Sequence, residues 1–153
     1  METKLAIFDF SGTLAYGKIS GQKLLEDMSN LSFELFGDAQ KAFALPVQKA
    51  ILTAADHFLL KGCDIPKDIK IFTPLETKYL KPDPRAFLFV LEQLGVSPQQ
   101  AAMIGDEVER DLIPAVGLGM KAFLINRENK DISVLPNGII RINSLKKLGE
   151  YIR

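Results

Sequence analysis

Residues 4–14 read KLAIFDFSGTL. A short apolar run from Leu5 to Phe8 delivers Asp9 and is cut off at once by Ser11, Gly12 and Thr13, a turn-forming group that lets the chain leave a buried strand. An acid is therefore presented at the carboxyl end of a strand. Open α/β sheets hold their ligands in the crevice outside those ends, so Asp9 stands where chemistry is usually done.

The same arrangement recurs downstream. The small apolar run 101–104 ends at Gly105 and Asp106, and Asp111 follows five residues later. Around it, strands and helices alternate from residue 69 on. A β-type run, 69–72, stops at Thr73-Pro74. Pro84 opens a helix capped by Asp83, buried through Phe87, Val90, Leu91 and Leu94 and stopped by Gly95; strands at 121–125 and 138–142 follow, and then a helix capped by Asn143 or Ser144. This alternation predicts an α/β fold, a Rossmann-like parallel sheet with helices on both faces.

Residues 19–62 read differently. Leu24, Leu25, Met28, Leu31 and Leu35 recur at helical spacing behind Ser20, Asp38 is placed to cap a short second helix, and Pro46 suits the start of a third with Val47, Ala50, Ile51, Ala54 and Phe58 on one face. The expected organisation is a core of residues 1–16 and 63–153 with a small helical cap insert at 17–62.

The chain's 153 residues, 47% of them hydrophobic, suffice for one domain with a core. Nineteen basic residues balance nineteen acidic ones, which removes the electrostatic case for nucleic acid or an anionic membrane surface. Cys63 is the single cysteine, so no internal disulfide forms and a cysteine-rich metal site is excluded. No apolar run approaches the roughly 20 residues of a membrane span, and the amino terminus lacks the pattern of a signal peptide. A cytoplasmic protein is expected. Nothing in the sequence sets an oligomeric state.

Three pieces need one explanation: Asp9 with its Ser-Gly-Thr turn, Lys81 ahead of Pro82-Asp83-Pro84, and Gly105-Asp106 with Asp111. All lie at or just beyond predicted strand ends and can face one crevice. Carboxylates gathered there repel one another unless a cation joins them, and hard oxygen ligands with open positions suit Mg²⁺. Lys81 would pair with the remaining charge of a phosphate, and Asp9, held in line, would attack phosphorus.

Here the chain resembles the haloacid dehalogenase-like (HAD) hydrolase superfamily. FDFSGTL resembles the family's first motif, LKPDPRAF its lysine motif, and IGDEVERDLIPAVGLGM its last acidic motif; the match covers roughly residues 1–14 and 69–153. The resemblance implies Asp9 as nucleophile, Lys81 as the charge steadying nucleophile and phosphate, and Asp9, Asp106 and the backbone carbonyl of Ser11 as magnesium ligands. Asp111 would support the metal directly or through hydrogen bonds. Gly12, Thr13 and Thr73 are the further candidates for binding a small phosphorylated substrate.

Two departures stand out. Phosphatases of the family carry a second Asp two residues after the nucleophile, as general acid and base; here that position is Ser11, and losing such a group costs about 10²–10⁴ in rate. The family also places its phosphate-binding Ser or Thr at the end of the strand after the cap. Thr73 is the candidate, yet only eight positions separate it from Lys81. The sheet is then one strand shorter than the family's, or 58–63 holds a strand.

The expected activity is that of a magnesium-dependent phosphatase of a small phosphorylated metabolite, slowed by Ser11. The alternatives are a non-hydrolytic phosphate- or protein-binding module and a phosphonate hydrolase with a Schiff-base lysine in the cap. Dehalogenation is disfavoured, because the acids at 106 and 111 point to metal and the family's dehalogenases carry an aromatic residue at position 11.

Overall fold

The computed structural model describes residues 2–19, 31–132 and 134–153. Strand β1 (Leu5–Phe8) lies inside a six-stranded sheet that also contains β4 (Gln48–Leu52), β5 (Lys70–Phe72), β6 (Ala101–Gly105), β7 (Lys121–Ile125) and β8 (Ile139–Ile142). The order is β5-β4-β1-β6-β7-β8, and every pairing is parallel. Parallel sheets are covered on both faces, so their strands read as unbroken apolar runs. In β1, Ala6 and Phe8 join one core while Leu5 and Ile7 join the other.

Helix α4 (Pro84–Leu94) covers the second face with Ala86, Phe87, Val90 and Leu91. Asp83 accepts from the Arg85 N–H at its start, and Gly95 closes it at φ +67°. Burying a side chain such as Phe87 contributes about 2–3 kcal/mol. The opposite face is covered by α1 (Ala39–Phe43) and by a 3₁₀ segment, Leu145–Glu150, whose N-cap is Ser144.

The insert departs from expectation. The helix anticipated behind Pro46 is β4, bonded to β1 and β5, so residues 48–52 belong to the core sheet rather than to a cap. The reason is the double burial of this strand. Ala50 and Ile51 are both fully buried although they point to opposite faces, and a short continuous apolar run satisfies helical and strand spacing equally. Helical structure follows it only in α2 (His57–Leu60), which Asp56 caps.

Earlier in the insert the chain forms an antiparallel hairpin of β2 (Ala15–Ile19) and β3 (Leu31–Leu35), not a helix. In β3, residues 31–35 (LSFEL) alternate between half-buried and exposed, the period of a strand. Leu24, Leu25 and Met28 lie outside the described residues. Phe33 of β3 packs edge-on against Phe10, with ring centroids 5.1 Å apart, and so ties the hairpin to the loop after β1. No helix among the described residues is long and apolar enough to cross a membrane.

Candidate active site

Register brings the site together. Phe8 of β1 lies level with Ile51 of β4 and Ile104 of β6, so all three strands release their next residues at the same edge. Asp9 leaves β1 there, its N–H donating to the Ile104 carbonyl at 2.9 Å. Asp106 leaves β6. A wide helical turn, Val108–Leu112, then folds Asp111 back beneath it. Carboxylate oxygens of Asp9, Asp106 and Asp111 lie within 4.8 Å of one another.

Lys81 reaches this group from the loop between α3 (Pro74–Thr77) and α4, where the Lys81–Pro82 peptide is cis. Its Nζ donates to Asp9 Oδ1 at 2.8 Å and to Asp111 Oδ1 at 2.7 Å, with only 4% of the side chain exposed. Burial works against the ammonium, but the charges and hydrogen bonds of Asp9 and Asp111 outweigh it and raise its pKa.

The acids respond in the opposite sense. Burial, followed by the hydrogen bond and charge of Asp9, pushes Asp106 up to about 7. Burial and the charge of Asp9 push Asp111 up to about 6, against the pull of Lys81. One ammonium thus does not balance three carboxylates. Two glycines make the crowding possible. A Cβ at Gly12, where φ is +82°, would stand 2.2 Å from Asp106 Oδ2, and one at Gly105 would stand 2.4 Å from Asp111 Oδ2. Three hard oxygen donors, two of them with pKa values raised by burial and by neighbouring negative charge, are a donor set that fits a divalent cation such as Mg²⁺.

The remaining candidates separate. Ser11 is exposed and lines the crevice of about 200 Å³ that holds Asp9, Lys81, Asp106 and Asp111. Thr13 is fully buried, and its hydroxyl donates to Asp106 Oδ1 over 3.5 Å, which puts it behind the acid rather than beside a ligand. Thr73 caps α3: its hydroxyl donates to Glu76 Oε2 at 2.6 Å and accepts from the Leu75 N–H. It does not line the crevice. Thr53, one residue past β4, does so, with its hydroxyl accepting from the Ala55 N–H at 2.9 Å.

Thr53 is the residue the sequence reading missed, because that stretch read as a helix. Reading 48–52 (QKAIL) as a strand would have put Thr53 at a strand end. His57 Nε2 is hydrogen-bonded to Glu76 Oε1 between α2 and α3. Arg127, just past β7, has no signal in the sequence at all. It donates to Asp38 at 2.7 Å and to the Thr13 carbonyl at 2.6 Å, and its guanidinium lies 3.7 Å from the Phe36 ring. Asp38 also accepts from Ser144 and the Leu145 N–H instead of capping α1. This cluster ties the turn after Asp9 to the segments that follow β7 and β8.

A parallel α/β sheet with an acid-and-lysine crevice at its strand ends belongs to the open α/β class that binds ligands at that edge. Comparison with known proteins narrows it. A family model described as HAD-hydrolase-like matches residues 79–142. The chain is 27% identical over 106 residues to haloacid dehalogenase-like hydrolase domain-containing protein 3 of Danio rerio, covering 64% of this chain and 44% of that protein. It is 32% identical over 68 residues to the phosphoserine phosphatase of Thermus thermophilus, 44% of this chain and 27% of that one. The matches thus span less than half of either relative.

Among solved structures, an HAD phosphatase from Thermococcus onnurineus superposes with a TM-score of 0.72 at 19% identity over 97% of each chain. A 2-haloacid dehalogenase from Pseudomonas syringae superposes with 0.76 at 16% identity, again over 97% of each. Residues 79–142 thus match the HAD-hydrolase-like family model, and the chain as a whole shares the fold of these structures.

Proposed function

We propose that this chain is a magnesium-dependent hydrolase of phosphate monoesters working through Asp9. The observation that carries the reading is Lys81, buried and bonded at once to Asp9 and Asp111 beside Asp106. A phosphoryl site needs an oriented carboxylate and matched positive charge, and Lys81 supplies both to Asp9. Relatives named as phosphatases support the same reading.

Asp9, Asp106 and the Ser11 carbonyl would hold Mg²⁺, with Asp111 fixing Lys81 and the metal acids. The bound ion supplies charge neutralisation at the transferring phosphoryl group. Lys81 holds the Asp9 carboxylate in place, and Asp9 attacks phosphorus as the bond to the ester oxygen breaks. Thr53 takes the role first assigned to Thr73, its hydroxyl at the crevice wall serving a phosphate oxygen. Water then hydrolyses the aspartyl phosphate and restores Asp9.

Ser11 cannot donate a proton to the leaving oxygen as a carboxylic acid would, so that oxygen leaves with water's help, and the rate falls by about 10²–10⁴ against an acid-equipped site. This residue also favours the second reading, a phosphate-binding module without turnover. For a phosphonate hydrolase with a Schiff-base lysine, the lysines named by the sequence are Lys18, Lys23, Lys41, Lys49 and Lys61. Lys18 pairs with Glu34, Lys49 donates to the Leu45 and Val47 carbonyls, and Lys23 lies outside the described residues. A reducing, cytoplasmic setting and a small phosphorylated substrate fit the single cysteine and the narrow crevice.

The test is phosphate release from an aryl phosphate with and without Mg²⁺. Asp9→Asn should abolish it and Ser11→Asp should raise it. Activity that survives Asp9→Asn would sink the mechanism, and an inert native protein awakened by Ser11→Asp would favour the binding module.

A further inference from the structure

A second cavity, about 450 Å³, adjoins the crevice and shares Ser11 and Asp106 with it. Its volume lies within the range of small-molecule sites, while the crevice itself has room for little beyond a phosphate. Whatever the phosphoryl group is attached to has a route past Ser11 into this space.

Part of the lining is aromatic. Tyr16 and Phe36 lie with ring centroids 5.0 Å apart, and Arg127 covers Phe36. Each ring is held from behind. The Tyr16 hydroxyl donates to Glu34 at 2.7 Å, and the Phe36 N–H donates to the Leu14 carbonyl at 2.8 Å. Both rings are half-buried and keep surface towards the cavity. The cations on this wall already have acids: Arg127 pairs with Asp38, and Lys130 pairs with Glu128 at 3.0 Å. A leaving group bearing a second negative charge would meet matched cations and the carboxylate of Asp106.

The chemistry of Ser11 points the same way independently. With no carboxylic acid to protonate the departing oxygen, turnover favours esters whose oxygen leaves readily as an anion, and phenolic oxygens do so far better than alkyl ones.

We infer that the cavity bounded by Tyr16, Phe36 and Ser11 is the leaving-group subsite, and that it takes an aromatic body without a second anionic group. The substrate class is then an aryl phosphate monoester rather than a compact polyanionic metabolite. This inference rests on the proposed phosphatase reading for its chemistry, but the subsite can be tested by binding alone.

The experiment is calorimetric titration of the native chain, in Mg²⁺, with benzylphosphonate, ethylphosphonate and phosphonoacetate, none of which can be hydrolysed at an ester oxygen. Benzylphosphonate should bind about tenfold tighter than ethylphosphonate, the contribution of one stacked ring, and phosphonoacetate should bind weakest. Tyr16→Ala should abolish the preference, whereas Tyr16→Phe should keep it. Equal affinities for the first two ligands in the native protein, or no binding of any, would overturn the subsite. A benzyl preference in a protein that releases no phosphate would sink the hydrolytic reading and leave the subsite standing; turnover with no aryl preference would do the reverse.

Discussion

Replacing Lys81 by Met removes the ammonium bonded to Asp9 and Asp111 while keeping most of the side chain's bulk. Its Nζ makes bonds of 2.8 Å and 2.7 Å to two carboxylates in a setting where 4% of the side chain is exposed. Breaking a buried pair by removing one partner costs about 3–5 kcal/mol, because the orphaned charge stays buried. Here the cluster has an escape, since Asp111 and Asp106 already titrate near 6 and 7 and can take up a proton. Protonating a group of pKa about 6 at pH 7 costs about 1.4 kcal/mol, which keeps the total near the low end, about 3 kcal/mol.

Urea unfolding of native and variant protein without Mg²⁺ measures this directly, and a thermal scan should show a loss of about 6–12 °C. The cost should shrink at pH 5.5, where the acids are already protonated. Addition of Mg²⁺ should return part of it. The pKa of Lys81 is raised, so its own contribution is complete below about pH 10 and is lost only as pH climbs through the elevated folded value. The pH dependence near neutrality therefore reports the carboxylates. A loss under about 1 kcal/mol with no change between pH 5.5 and 7.5, the signature of an exposed pair, would refute the reasoning.

Three further outcomes are expected. Thr53→Ala should lower kcat/KM by about tenfold or more with little change in stability, whereas Thr73→Ala should cost about 1 kcal/mol through the lost cap of α3 and leave kcat/KM alone; steady-state kinetics and urea titration distinguish the two. Mg²⁺ affinity, followed by calorimetry, should fall about tenfold for each pH unit below the Asp106 pKa of about 7, because the ion must displace that proton. Asp38→Asn should cost about 2–4 kcal/mol at pH 7. Burial opposes ionisation of Asp38, yet Arg127, the Leu145 N–H and Ser144 hold its carboxyl below the usual range. Its stabilisation is therefore present above about pH 4 and disappears as pH falls through the lowered value, so the variant and native unfolding curves should converge in acid.

How much of the site was legible depended on how local each signal is. Asp9, Lys81, Asp106 and Asp111 each follow a local punctuation, a strand end closed by a turn or a proline-bound loop, and the structure brings all four together. Thr53 was hidden because β4 is buried on both faces, and an apolar run buried on both faces carries no period of its own. Thr73 looked eligible for a related reason: a threonine after a strand reads alike whether it faces a ligand or caps the helix that follows, and only the sheet order places β5 at the edge, one strand further from β1 than β4.

By itself the sequence determined the α/β class and the order of the strand-end acids, because these follow from residue type and near-neighbour pattern. Tertiary structure alone decided that β4 lies beside β1, that Thr53 stands in the crevice, and that Arg127 meets Asp38 and Phe36 across 89 and 91 residues of chain, Arg127 and Phe36 lining a second cavity. Such contacts depend on which strands pair and in what register. That choice is made by burial summed over the whole sheet, and no short stretch of residues encodes it.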